Sequence, residues 1–127
     1  MDIKEKLEGY LIELSMPYEN KGDNLWTITD SSKGFENVIV TLNEPVITIN
    51  VNVMPVPSAQ KEEFYETLLK LNATDMIHGA YGINGNNVVL IDTLEGETMD
   101  QEELQASLDA ISLALSQHYP VLSKYRK

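Results

Sequence analysis

The two histidines, His78 and His118, are the residues of this 127-residue chain best suited to proton transfer or metal binding. They lie far apart in sequence, and neither has a second ligand at metal-binding spacing. Only a carboxylate met in the folded chain would give either one chemistry. Asp92 closes the apolar run Val88 to Ile91, where burial would perturb its acidity, although a solvated strand end is the simpler reading. Asp92-Thr93-Leu94-Glu95-Gly96 is not a calcium loop, because Leu94 stands where an oxygen ligand belongs. Gly79, Gly82 and Gly85 recur every three residues but lack the lysine and hydroxyl of a phosphate loop. No serine sits in a Gly-x-Ser-x-Gly elbow, and Ser31 and Ser32 before Lys33 read as turn residues. The absence of cysteine removes disulfides, thiolate metal sites and cysteine nucleophiles together. The sequence therefore points to no enzyme, no metal and no cofactor.

Charge narrows the partners. A net charge of −11 repels nucleic acid and anionic membranes. The basic cluster Lys124, Arg126 and Lys127 reads as a frayed tail rather than a site. The opening MDIKEKLEGYL is charged from its second residue and lacks the apolar core of a signal peptide. No apolar run reaches the length of a membrane span, so a cytoplasmic location is the expectation and the Asn72-Ala73-Thr74 sequon is accidental. An apolar fraction of 43% with clear periodicity argues for one folded domain over residues 1–127.

The elements follow from periodicity. Ile3, Leu7, Tyr10, Leu11 and Leu14 form one stripe of a helix that Asp2 caps and Pro17 ends. Lys21 to Asn24 and Asp30 to Gly34 are turns around a short strand, Leu25 to Thr29, with Trp26 and Ile28 on one face. Val38, Val40 and Leu42 share a face of the next strand. From Val46 to Met54, Ile47, Ile49, Val51 and Val53 point one way, and Thr48, Asn50 and Asn52 the other. Connections this short leave no room for parallel crossovers, so the sheet is an antiparallel meander with one wet face.

Pro55-Val56-Pro57 stops the sheet, and Ser58 is placed to cap a second helix with Glu62 and Glu63 in its first turn. Phe64, Leu68 and Leu71 make its core stripe; Tyr65 and Leu69 widen it toward a partner surface. Asn72 marks the helix stop. A glycine-flanked short strand, a turn at Asn84 to Asn87 and the run Val88 to Ile91, covered on both faces, form a hairpin. After a loop at Glu95 to Glu97, Asp100 and Glu103 suit a capping box for a third helix. Its face is Leu104, Leu108, Ile111 and Leu115, with Ala106, Ala110 and Ala114 allowing close packing, and Tyr119-Pro120 ends it. The expected fold is α+β, in the order α-β-β-β-α-β-β-α, with helices packed on an antiparallel sheet.

The stretch LLKLNATDMIHGAYGINGNNVVLIDTLEGETMDQEELQASLDAI resembles the core of YbjN-type proteins, within the type III secretion chaperone-like (Tir chaperone, CesT-like) superfamily. The matching parts are Leu68-Leu69-x-Leu71-Asn72, the short strand at Gly79 to Gly82, the turn into Val88-Val89-Leu90, and the acidic helix ending at His118-Tyr119-Pro120. The resemblance implies a non-catalytic homodimer that binds a polypeptide client as chaperone or adaptor, without cofactors. It places the client on the first helix and the exposed side of the first three strands, with Tyr10, Trp26 and Ile39 as candidate contacts. Phe64, Tyr65 and Leu69 of the second helix are the candidate dimer contact. For each of these residues ordinary core is the competing reading. A small sensory or regulatory domain, binding a ligand or signalling partner in a well-formed pocket, is the alternative.

Overall fold

The computed structural model describes residues 2–126; Lys127, of the basic C-terminal cluster, lies outside them. Helix α1 (Ile3–Glu13) starts in a capping box in which the side chains of Asp2 and Glu5 each accept the other's backbone N–H. Strands β1 (Tyr18–Gly22), β2 (Leu25–Asp30), β3 (Phe35–Asn43) and β4 (Val46–Pro55) follow, with a single 3-10 turn at Ser31–Lys33. Helix α2 (Lys61–Thr74), strands β5 (Ala80–Asn84) and β6 (Asn87–Glu95), and helix α3 (Gln101–Leu122) complete the fold, and a 3-10 turn closes it at Ser123–Tyr125.

The fold class is the expected α+β, with one strand more than the sequence suggested. Tyr18 to Gly22 pairs with β2, so four strands precede α2. That strand is polar apart from Tyr18 and bonds to one neighbour only, which leaves no apolar alternation to read. The turn shrinks to Asp23 and Asn24, both at positive φ, as a tight hairpin with the right twist requires.

All six strands are antiparallel, in the order β1-β2-β3-β4-β6-β5. The register sets two faces. On one, Ile28, Val38, Val51, Leu90 and Tyr81 form a row across five strands, beside Trp26, Val40, Ile49 and Asp92. On the other, Thr27, Ile39, Asn50, Ile91 and Ala80 form the corresponding row. A bulge at Val53 moves Met54 into the core and leaves Val53 half-buried, so the alternation read from Ile47 stops at Val51. The first face is the core: α1 contributes Leu7 and Leu11, α2 Phe64 and Leu68, and α3 Leu104, Leu108 and Ile111.

Three helix boundaries differ from expectation. Helix α2 begins after Gln60, in the left-handed region with no side-chain cap, so Ser58 does not serve; Glu62 and Glu63 compensate at the positive end. It runs past Asn72 to Thr74. Helix α3, opened by the predicted Asp100–Glu103 box, continues through Pro120. Proline forfeits one backbone bond there, but burial of Leu122 and Tyr125 rewards the extra length.

Two close approaches need glycine. A Cβ on Gly79, at φ +82°, would stand 2.7 Å from the carbonyl oxygen of Ile91. One on Gly96 would stand 2.8 Å from both the Pro45 carbonyl oxygen and Ile3 Cγ2. Val88, Val89 and Leu90 are buried as expected, while Ile91 is half-buried.

Candidate functional site

The residues with chemical potential are used for structure. His118 is almost fully buried on α3, with Nδ1 2.7 Å from the Tyr81 hydroxyl on β5. Its Nε2 lies 3.4 Å from Asp75 Oδ2 at the end of α2, close enough for attraction but outside hydrogen-bond geometry. The Tyr81 hydroxyl and His118 Nδ1 share one hydrogen bond, its direction set by the imidazole tautomer. Burial first, and then the negative charge of Asp75, hold the Tyr81 phenol well above its ordinary pKa. A phenol kept protonated is a hydrogen-bond donor, not a nucleophile. The three residues join α2, β5 and α3.

Asp92 is not a solvated strand end. It lies within β6 on the helix-covered face and accepts a hydrogen bond from the buried Ser107 hydroxyl of α3. Asp92 to Glu95 is strand, and His78 is half-buried in the α2–β5 connection. Asp30 caps the turn that holds Ser31 and Ser32, accepting from the Ser32 N–H and hydroxyl. No group of three or more histidine or carboxylate side chains that could hold a metal forms among the described residues.

The candidate contact residues divide. Trp26 and Phe64 are fully buried, which removes them from any contact surface. The Trp26 indole N–H donates to Glu8 Oε2 of α1 at 2.7 Å, and the same oxygen accepts from Asn20 on β1. Trp26 therefore pins α1 to the sheet. The Phe64 ring meets the edge of Tyr125 at 5.0 Å between centroids. The period-2 pattern grouped Trp26 with Ile28 correctly but carried no sign of which face the helices would cover. Tyr10 is half-buried on α1, against the core.

Ile39, Tyr65 and Leu69 remain available, at 39%, 37% and 68% exposure. Ile39 is central in the row Thr27, Ile39, Asn50 and Ile91, on the face opposite the helices. Among the described residues, the side-chain bonds from α1 and α3 to the sheet reach the other face, through Asn20, Trp26, Asp92 and Tyr81. Except for buried Val89, the paired residues of this face, with Leu25, Thr41 and Thr48 among them, are half-buried or exposed. It forms an open sheet surface with apolar side chains spaced among threonines and asparagines.

Tyr65 and Leu69, four apart, share one flank of α2. Asn72, three further on, donates through Nδ2 to the Tyr81 carbonyl at 3.2 Å and accepts from the Tyr81 N–H at 2.7 Å. Helix α2 thus blocks the middle of the outer edge of β5, while no strand among the described residues pairs with the outer edge of β1. Ile77, in the connection after α2, is a further exposed apolar side chain, at 81%. It was missed because one isoleucine in a non-periodic segment carries no face.

A cleft of about 880 Å³ opens on the helix side. Its floor is Val51 and Val53 of β4 with Tyr81 of β5. Leu115, Ser112 and Ser116 of α3 make one wall, and the Lys33–Gly34 turn another. The Ser112 hydroxyl ties the two walls by donating to the Lys33 carbonyl at 2.8 Å.

This arrangement, a six-stranded antiparallel sheet with one face open, carries a family signature along its whole length. The CesT_Tir_1 family model matches residues 1–127. The chain belongs to the CesT_Tir_1 family. No curated protein matches it. Among solved structures, a chain of the heterodimeric ExoU–SpcU complex of the Pseudomonas aeruginosa type III secretion system has a TM-score of 0.75 at 15% identity, over 93% of this chain and 98% of that one. YbjN of E. coli, described as a putative transcription regulator, has a TM-score of 0.68 at 15% identity, over 93% and 92%. The structure of the Yersinia pestis type III secretion chaperone SycH with a fragment of YscM2 gives 0.66 at 13% identity, over 91% and 98%. The CesT_Tir_1 fold is thus the α+β fold expected from the sequence. At these identities the likeness is one of architecture.

Proposed function

We propose that this chain is a non-catalytic protein-binding domain that holds an extended polypeptide segment and works as a homodimer. The observation that carries the reading is the open sheet face around Ile39. Three helices pack on one face, and the other, Val89 apart, is half-buried or exposed, with Ile39 open to solvent. An extended client strand can lie on such a face, and the outer edge of β1 offers backbone groups for pairing. Family membership and the fold shared with SycH in its YscM2 complex support the same reading. The flank of α2 at Tyr65 and Leu69 is the proposed contact between copies, since an exposed apolar helix stripe is otherwise a liability in solution. The helix-side cleft is open at its rim, where Leu113 and Tyr119 are exposed, so it lends no weight to an enclosed ligand sensor.

The first experiment is light scattering after size exclusion. The expected species has twice the mass of one chain at micromolar concentration. A monomer at every concentration would overturn the homodimer and leave the open face as the whole of the proposal.

A further inference from the structure

The turn from β5 into β6 carries the chain's one Asn-Gly step, Asn84-Gly85. Every other asparagine precedes a residue that has a Cβ. Asn84 and Gly85 are both exposed. Neither the Asn84 side chain nor the Gly85 N–H is hydrogen-bonded to a described residue. Gly85 holds φ +62°, and a Cβ built on it would meet nothing within 4 Å, so the space beside its nitrogen is open. Asn84 pairs with Asn87 at the closing rung of the hairpin, the end of the ladder and the first part of it to fray. An unbonded asparagine amide next to a backbone nitrogen that no Cβ shields is set up for ring closure.

We propose that Asn84 is a site of spontaneous deamidation, through a succinimide formed with Gly85, and that the product loosens strand β5. The Gly85 nitrogen gives up its proton and bonds to Asn84 Cγ; the Cγ–Nδ2 bond breaks, and ammonia leaves with that proton. Water then opens the ring. Attack at Cγ restores the ordinary backbone and leaves aspartate. Attack at the main-chain carbonyl carbon leaves isoaspartate, with the backbone running through Cγ and one carbon longer. The added carbon falls at the Asn84–Asn87 rung and takes it out of register. Strand β6 keeps its long ladder with β4, and the Asn86 carbonyl still accepts from the Val56 N–H at 2.7 Å. Strand β5 pairs with β6 alone, and Asn72 holds its outer edge only at Tyr81, so β5 is the element that loosens. The inference stands apart from the protein-binding reading.

The test is peptide mapping by mass spectrometry of the full chain, held at pH 8 in native buffer and, in parallel, in urea. The expected result is a gain of one mass unit at Asn84 in both, at least about tenfold faster than at any other asparagine, with part of the product labelled by an isoaspartyl methyltransferase. The rate should fall at pH 6, because the attacking nitrogen must first lose its proton. The Asn84→Gln chain, whose longer side chain cannot close the same ring, should gain no mass there. Conversion of Asn84 in urea alone, earlier conversion of another asparagine, or aspartate without isoaspartate would overturn the site. Hydrogen exchange reads the consequence. The Tyr81 and Gly82 amides should exchange at least about tenfold faster in the isoaspartyl fraction than in the Asn84→Asp chain, which has the charge on a backbone of ordinary length. Equal exchange in the two would overturn the loosening of β5.

Discussion

Two side chains of the α2–β5 region hold more of the fold than their types announce. Asn72 satisfies both backbone groups of Tyr81 on the edge strand. Asn72→Leu keeps the branched shape of the side chain but orphans that donor and acceptor, so we expect a loss of about 1–3 kcal/mol in urea unfolding, without loss of helix by circular dichroism. Tyr81 makes the opposite kind of prediction, one seen only at high pH. Its folded pKa is raised above the unfolded value, so the unfolded chain gives up the proton first as pH rises past 10. The folded state then binds more protons than the unfolded one, and stability falls with pH, by up to about 1.4 kcal/mol per pH unit for one group. The Tyr81→Phe chain lacks this term, and its stability should decline more gently above pH 10. Parallel slopes for the two chains would contradict the assignment.

At the scale of elements, what the sequence could show was periodicity, and what it could not show was cover. Ile47, Ile49 and Val51 alternate cleanly because one helix-covered face demands it, and all three are buried. Strand β1 left no signal because an edge strand needs only one bonded neighbour and no apolar face. The family resemblance puts Trp26 among the contact residues, but a large aromatic side chain suits cores and interfaces alike, and only the position of α1 decides between them. Helix α3 was read as ending at Pro120 from local geometry, yet the core beneath Leu122 outweighs one missing hydrogen bond. The stripe of α2 is the place where this ambiguity turns into a prediction. Leu69 is 68% exposed, so Leu69→Lys removes no core packing and should cost within about 0.5 kcal/mol of stability. In light scattering the same change, with Tyr65→Glu beside it, should convert the proposed dimer to a folded monomer. A dimer that survives both charges would place the contact elsewhere.

For the molecule as a whole, the proposed contact between copies and the proposed client surface lie on different elements, and that separation can be tested. Ile39 points out of the sheet between Thr27 and Asn50, so Ile39→Asp opens no cavity; it exchanges a good strand former for a poor one, at about 1 kcal/mol and a few degrees of melting temperature, and the chain should stay folded. A bound strand would nevertheless bury that charge without a partner, at a cost large enough to weaken binding at least tenfold. The readout is fluorescence anisotropy of a labelled, reduced and carbamidomethylated ribonuclease added to the full chain. With the proposed contact between copies on α2 and Ile39 on β3, Ile39→Asp should stay dimeric. The monomeric Leu69→Lys, Tyr65→Glu chain should keep its open face and lose only the gain from two linked sites. Binding by the dimer that exceeds twice the monomer's would then arise from one polypeptide engaging both copies. If the charged α2 flank abolished binding outright, the two surfaces would be one, and the dimer interface itself would be the client site.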